Sequence, residues 1–127
     1  MIGSRLFIDS GVWISYFLKT SEESRRIIDS TENKLFTSVL SLHEVNRTLG
    51  RKGLSRTEMS EATRIIMDTS TLTLVDEQTA LNSVDHCLHR KLYTVDAIIY
   101  ESSLQNGCTL VTGDTDFKGL KDVKIIE

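Results

Sequence analysis

Five carboxylates in this chain sit where an acid is hard to explain as surface decoration. A short apolar run, Cys108-Thr-Leu-Val-Thr112, leads straight into Gly113-Asp114-Thr115-Asp116-Phe117, and near the start of the chain Leu6-Phe7-Ile8 delivers Asp9-Ser10. A strand that closes on an acid sets negative charge at a sheet edge, and a buried carboxylate without a partner is costly. Two such strand ends imply a shared anionic pocket, and such a pocket calls for a metal ion. Two further acids can reach it: Glu44, one turn into the helix after the second strand, and Asp96, in the first turn of the helix before Cys108–Thr112. Most of these acids also have a purely structural explanation. Ser41-Leu-His-Glu44 has capping-box spacing, Asp96 complements a helix dipole, and Asp114 and Asp116 suit an Asx turn. Asp9 is the least explained by structure alone.

The elements that would position these acids alternate between short β-branched runs and helical periods. Strands are expected at 6–9, 34–37, 71–75, 109–112 and 123–126. Helices are expected around Val12–Phe17, at 22–30, through Leu42, Val45 and Leu49 to Gly50 or Gly53, from the Ser55-Arg-Thr-Glu58 capping box onward, after Asp76, and from Thr94 to Asn106-Gly107. The helix after Asp76 is expected to face the core with Ala80, Leu81, Val84 and Leu88. Strands separated by helices predict a three-layer α/β/α sandwich on a central, mostly parallel five-stranded sheet. In such sheets ligands bind outside the carboxyl ends of the strands, where the winding direction switches. If the first and fourth strands are neighbours there, Asp9 and Asp114 share one crevice.

Composition sets the frame. At 127 residues, 39% hydrophobic and 26% charged, the chain reads as one globular domain spanning 1–127. No apolar run approaches the ~20 residues of a membrane span, and residue 1 leads into a strand without a signal-peptide pattern. Cys87 and Cys108 form no framework and read as buried thiols in a reducing compartment, so the expected location is the cytoplasm. A net charge of −3 does not advertise a nucleic-acid binder, but with the five acids neutralised by cations the remaining surface is slightly basic. Proline is absent, and no function attaches to that.

Taken together the motifs form a recognisable pattern. Leu-Phe-Ile-Asp-Ser at 6–10, Ser-Val-Leu-Ser-Leu-His-Glu-Val at 38–45, Tyr-Thr-Val-Asp-Ala at 93–97 and Leu-Val-Thr-Gly-Asp-Thr-Asp-Phe at 110–117 resemble the PIN domain family, most strongly its small stand-alone toxins of the VapBC type. The resemblance covers essentially the whole chain, and its last motif is the most specific. It implies a Mg²⁺- or Mn²⁺-dependent endoribonuclease, a homodimer restrained by a small antitoxin, with RNA as substrate. By position, Asp9, Glu44, Asp96 and Asp114 would hold the metal and carry catalysis. Asp116 would be an accessory acid, and Ser10 and Thr112 occupy the places of hydroxyls beside the site. Hard cations of this kind favour carboxylate oxygens and keep several waters. One departure is the helix after Asp96, usually alanine-rich, which here reads Ile98-Ile-Tyr-Glu-Ser-Ser103. Glu101 is then either an extra acidic wall or an exposed residue.

Other readings carry less. His86-Cys-Leu-His89 has helical spacing but falls short of a closed zinc site. Arg47, Arg51 and Lys52 form a small basic cluster that either guides RNA phosphates or is a solvated face. Trp13, Tyr16 and Phe17 suit core packing better than a partner groove. A phosphoacceptor receiver domain needs an acidic pair where Asp9-Ser10 stands, and a haloacid-dehalogenase-type phosphatase needs Asp-x-Asp where the chain has Asp9-Ser-Gly11. The remaining alternative is a PIN-like fold that binds RNA or protein without cutting, against which the complete set of acids argues.

Overall fold

The computed structural model describes residues 3–127. Five strands, β1 (Arg5–Ile8), β2 (Lys34–Ser38), β3 (Ser70–Thr73), β4 (Thr109–Thr112) and β5 (Val123–Ile125), form one sheet in the order β3-β2-β1-β4-β5. Every neighbouring pair is parallel. The connections are helical: α1 (Ser10–Leu18) and α2 (Glu22–Asp29), α3 (Val39–Arg51) and α4 (Arg56–Thr69), then α5 (Glu77–Arg90) and α6 (Thr94–Gln105). Among the described residues no helix is long and apolar enough to cross a membrane.

Because side chains alternate across a strand, the short central strands feed two cores. Leu6, Ile8 and Val111 point to one face and pack with Val12, Trp13, Val45, Leu49 and Ile66 from α1, α3 and α4. Phe7 and Leu110 point to the other, against Phe36, Ala97, Ile99, Tyr100 and Phe117. Each fully buried large side chain of this kind contributes about 1.5–3 kcal/mol. The result is helices on both faces of the sheet, which is why these strands read as continuous apolar runs. Trp13 is completely buried, and its indole N–H donates to Thr37 Oγ1 (3.1 Å), which donates in turn to the Ile8 carbonyl (2.7 Å). The ends of β1 and β2 are thereby tied to α1.

Local signals place the helix ends. The Ser55–Glu58 capping box forms reciprocally, Asp76 accepts from Thr79 N (2.9 Å), and α6 stops at Gly107, whose φ of +64° favours glycine. Three strands end earlier than the sequence suggests, β5 by a single residue, at Ile125. Asp9 leaves β1 because it caps α1. β3 spans 70–73 rather than 71–75, because its partner β2 ends at Ser38 opposite Thr73, leaving nothing for Leu74 and Val75 to pair with. Cys108 is buried, Cys87 half-buried, and neither is paired.

The expected inner face of α5 is a correction. Leu81, Val84 and Leu88 are 70%, 49% and 71% exposed, and Ala80 is exposed too. The helix instead turns Thr79, Ser83 and His86 inward. Its contact with α6 is built from polar pairs: Thr79 Oγ1 donates to Gln105 Oε1 (3.0 Å), and His86 Nε2 lies 2.8 Å from Glu101 Oε1. These hydrogen bonds satisfy groups that would be orphaned if the apolar stripe faced in.

Candidate metal centre

The winding direction reverses between β1 and β4, and there the acids gather. A crevice of about 340 Å³ at the carboxyl ends of the strands is lined by Asp9, Ser10, Glu44, Asp96, Asp114 and the Ile126–Glu127 segment, among others. Asp9 follows β1 directly, and Asp114 follows β4 after Gly113. Asp96 projects from the first turn of α6, whose N-cap Tyr93 supplies no side-chain cap. Glu44 lies in the second turn of α3. That helix begins earlier than the capping-box reading requires, with Ser38 as N-cap accepting from Leu40 N (3.1 Å). Glu44 therefore does not cap its own helix.

Thr112 joins two of the acids. Its buried hydroxyl donates to Asp9 Oδ2 (2.7 Å) and accepts from the Asp114 backbone N–H (3.0 Å). Asp9 Oδ1 accepts from Ser10 N (2.8 Å), so this carboxylate is both a helix cap and a wall of the crevice. Asp114 Oδ1 accepts from Asp116 N (2.9 Å), forming the Asx turn that opens the 3₁₀ segment Thr115–Phe117. Among the described residues, one group of three acids offers oxygens all within 4.8 Å of one another: Asp96, Asp114 and exposed Asp116. Asp116, read from sequence as an accessory, thus stands as close to the Asp96–Asp114 pair as a ligand would.

Crowding is visible in the proton affinities. Burial pushes the Asp9 carboxyl above the ordinary carboxylate range, against the hydrogen bonds from Thr112 and Ser10, and the charge of Asp114 adds to the rise. Glu44 is raised by burial and then by Asp9, while His43, a hydrogen bond from Ser10 and Arg47 oppose the rise. Asp96 is pushed up to about 6, first by burial and then by the charges of Asp114, Asp9, Asp116 and Glu44. Like charges held this close favour either a shared proton or a bound cation. An all-carboxylate donor set fits a hard divalent ion such as Mg²⁺ or Mn²⁺, and the absence of thiol or imidazole from the crevice lining argues against zinc.

The other sequence candidates scatter. Arg47, Arg51 and Lys52 are exposed on and just beyond α3. His86 is buried against Glu101 while His89 is exposed beside Asp85, so the two histidines do not converge. Glu101 is neither an acidic wall nor an exposed residue: it bridges His86 and Gln105 between α5 and α6. Trp13 belongs to the core, whereas Tyr16 and Phe17 are partly exposed and line a groove with Ile65. Two features escaped the sequence reading, the Ser15–Ser24 hydroxyl pair (2.8 Å) and the Ile126–Glu127 wall. The second was within reach, since β5 is also parallel and its carboxyl end must fall beside that of β4.

Residues 6–123 match the family model of the PIN domain. The chain belongs to the PIN domain family, whose members are typically nucleases. Among solved structures it is similar to a toxin–antitoxin complex from Klebsiella pneumoniae, at 25% identity and a TM-score of 0.77, covering 95% of this chain and 96% of that one. It is also similar in fold to VapC20 of Mycobacterium tuberculosis, a sarcin-ricin loop cleaving toxin, at 18% identity and a TM-score of 0.74, covering 91% and 95%. VapBC2 from Rickettsia felis bound to a promoter DNA fragment gives 11% identity and a TM-score of 0.78, covering 97% and 99%. No curated protein matches the sequence.

Proposed function

We propose that this protein is a Mg²⁺- or Mn²⁺-dependent endoribonuclease, one domain over residues 1–127, acting in the cytoplasm as the toxin of a toxin–antitoxin pair. The observation that carries the reading is the convergence of Asp9, Glu44, Asp96 and Asp114, from four separate elements, on one crevice where burial and mutual repulsion raise three of their proton affinities. Asp96, Asp114 and Asp116 are the first candidates to hold the ion, with Asp9 and Glu44 completing the donor set. When bound, a hard divalent ion supplies a polarised phosphoryl oxygen and a water of lowered pKa. The chain's own residues prepare the site. Thr112 and Ser10 fix the Asp9 carboxylate, and the Asx turn fixes Asp114. Arg47, Arg51 and Lys52 offer positive charge to RNA phosphates beside Glu44. The expected partners are a small antitoxin that restrains cleavage and a second copy of the chain.

The test is cleavage of a mixed RNA pool by the purified protein, with Mn²⁺ and with chelator. Cleavage with Mn²⁺, its absence with chelator, and its loss in Asp9→Asn and Asp114→Asn are expected. A wild-type protein that binds RNA or a protein partner but cuts nothing under either condition is instead a non-catalytic binding module. Full activity in either variant would remove that residue from the site.

A further inference from the structure

The crevice that gathers the acids has a neutral flank. At about 340 Å³ it is far larger than a cation with a few waters needs. Beyond Asp9, Glu44, Asp96 and Asp114 its lining runs on to Val12, Ser15, Ser24 and Ile126. Val12 and Ile126 are apolar and almost fully buried, and Ser24 is 1% exposed. Ser15 stands five positions after Ser10 on α1, which sets it about 7–8 Å farther along the helix axis. A hard divalent ion gains more from the carboxylates than from this flank, which is shaped for an uncharged part of a ligand.

The hydrogen bonds of the flank define what it takes. A hydroxyl has one hydrogen and two lone pairs. Ser15 Oγ donates to the Val12 carbonyl (3.0 Å) and lies 2.8 Å from Ser24 Oγ. With its own hydrogen spent, Ser15 accepts from Ser24. What Ser15 still offers, half-buried at the crevice wall, is a lone pair and no hydrogen. Ser24 sits behind it and is held in turn: its backbone N–H donates to Ser21 Oγ (3.1 Å), and Ser21 donates to the Glu127 carbonyl (2.7 Å). Ser15 is therefore a fixed acceptor that seeks a neutral donor. An ionised phosphate offers only acceptor oxygens and finds no partner there. A base is read by stacking as well as by hydrogen bonds, and among the described residues no aromatic side chain lines the crevice. The ribose 2′-hydroxyl is small and uncharged, can donate, and is the group that separates RNA from DNA. On the proposed nuclease reading, we infer that Ser15 accepts a hydrogen bond from a ribose 2′-hydroxyl of the strand whose phosphate lies at the acids. Ser24 is a positioning residue that aims Ser15. Carboxylates and an ion treat the phosphates of RNA and DNA alike; the serine pair makes the site prefer RNA.

Fluorescence anisotropy of the full chain in chelator tests this with two probes. One is a mixed-sequence oligoribonucleotide; the other is its 2′-fluoro counterpart, which keeps the RNA-like sugar pucker but cannot donate. The wild type binds the oligoribonucleotide about two- to tenfold more tightly, the net worth of one hydrogen bond. In Ser15→Ala the ratio falls to near one. Ser24→Ala lowers it part of the way and has no further effect in the Ser15→Ala background, as a residue acting only through Ser15 requires. Both affinities are read on the same preparation, so a partly unfolded variant lowers them together and leaves the ratio intact. Equal binding of the two probes by the wild type overturns the inference. So does a preference that survives in Ser15→Ala while the bases flanking its Mn²⁺-dependent cuts change, which would make Ser15 a reader of base amines. An effect of Ser24→Ala in the Ser15→Ala background overturns the positioning role. A protein that shows the ratio but cuts no RNA with Mn²⁺ keeps this inference and loses the nuclease reading.

Discussion

Asp96→Asn should make the metal-free protein more stable, with an advantage that grows between about pH 4 and pH 6 and is full above pH 6. Burial and four neighbouring carboxylates raise Asp96 from 3.8 to about 6, and no hydrogen bond figures among the causes, so the isosteric change removes charge and little else. At about 1.4 kcal/mol per pH unit the shift corresponds to about 3 kcal/mol for a wholly shielded group, and solvent screening of this partly exposed one leaves about 1–2 kcal/mol. Well below pH 3.8 the carboxyl is protonated folded and unfolded alike and the variant has no advantage. As pH rises from 3.8 to about 6 the unfolded chain gives up the proton before the folded one does, and wild-type stability falls relative to the uncharged amide variant until both are ionised. Calorimetry in chelator at pH 8 should show the variant's Tm higher by roughly 3–8 °C, with most of the difference gone at pH 4. Adding Mn²⁺ reverses the order, because the wild type gains about 2.7 kcal/mol at a hundredfold excess over Kd while the variant, short of a donor, gains less. A variant less stable than wild type in chelator at pH 8, or one with the same advantage at both pH values, would refute the idea that crowded charge dominates this crevice.

Thr112→Val removes a buried hydroxyl that bridges Asp9 and the Asp114 N–H. It should cost about 1–3 kcal/mol in urea unfolding and lower Mn²⁺-dependent cleavage, with Thr112→Ser close to wild type in both. Glu101→Ala strips the buried His86 of its partner and should also cost about 1–3 kcal/mol. The Mn²⁺-induced rise in Tm should nevertheless match the wild type, since Glu101 lies outside the crevice; a blunted rise would return it to the acidic wall.

The parallel sheet and the covering of both its faces were readable from the chain, because each rests on a local signal; the pairing of β1 with β4, which brings Asp9 and Asp114 to one crevice, was a condition that only the structure supplies. Leu6-Phe-Ile and Leu110-Val are apolar at consecutive positions, as strands buried on both faces must be, and parallel pairing then puts their carboxyl ends along one edge of the sheet. The environment of Glu101 was not readable, since it depends on which face α5 presents to α6. That is where the apolar-inward rule fails. Leu81, Val84 and Leu88 form a good helical stripe, but periodicity reports only that a stripe will be covered, not whether the same chain covers it. The polar pairs Thr79–Gln105 and His86–Glu101 decide the rotation, and they link residues 26 and 15 positions apart in sequence. No local pattern announces them.

The acids also show why structural and functional explanations of one residue should not be set against each other. Asp9 caps α1, and Asp114 closes an Asx turn, as a purely structural account holds. Each role, however, uses one lone pair on one oxygen, and a carboxylate offers about four such positions. The Ser10 N–H on Asp9 Oδ1 and the Thr112 hydroxyl on Oδ2 leave acceptor capacity on both oxygens. The Asp116 N–H on Asp114 Oδ1 leaves Oδ2 without a hydrogen-bond partner among the described residues. What these bonds remove is rotational freedom. A capped or turn-forming carboxylate is held in one orientation before any cation arrives, so less ordering accompanies binding, as with hydrogen bonds that orient metal ligands from outside the coordination sphere. The carboxylate of Asp116, exposed and within 4.8 Å of the Asp96–Asp114 pair, accepts no hydrogen bond among the described residues. On the proposed function Asp114 would be the fixed ligand and Asp116 the adjustable one, a ranking set by the hydrogen bond between them and not by their order after the strand.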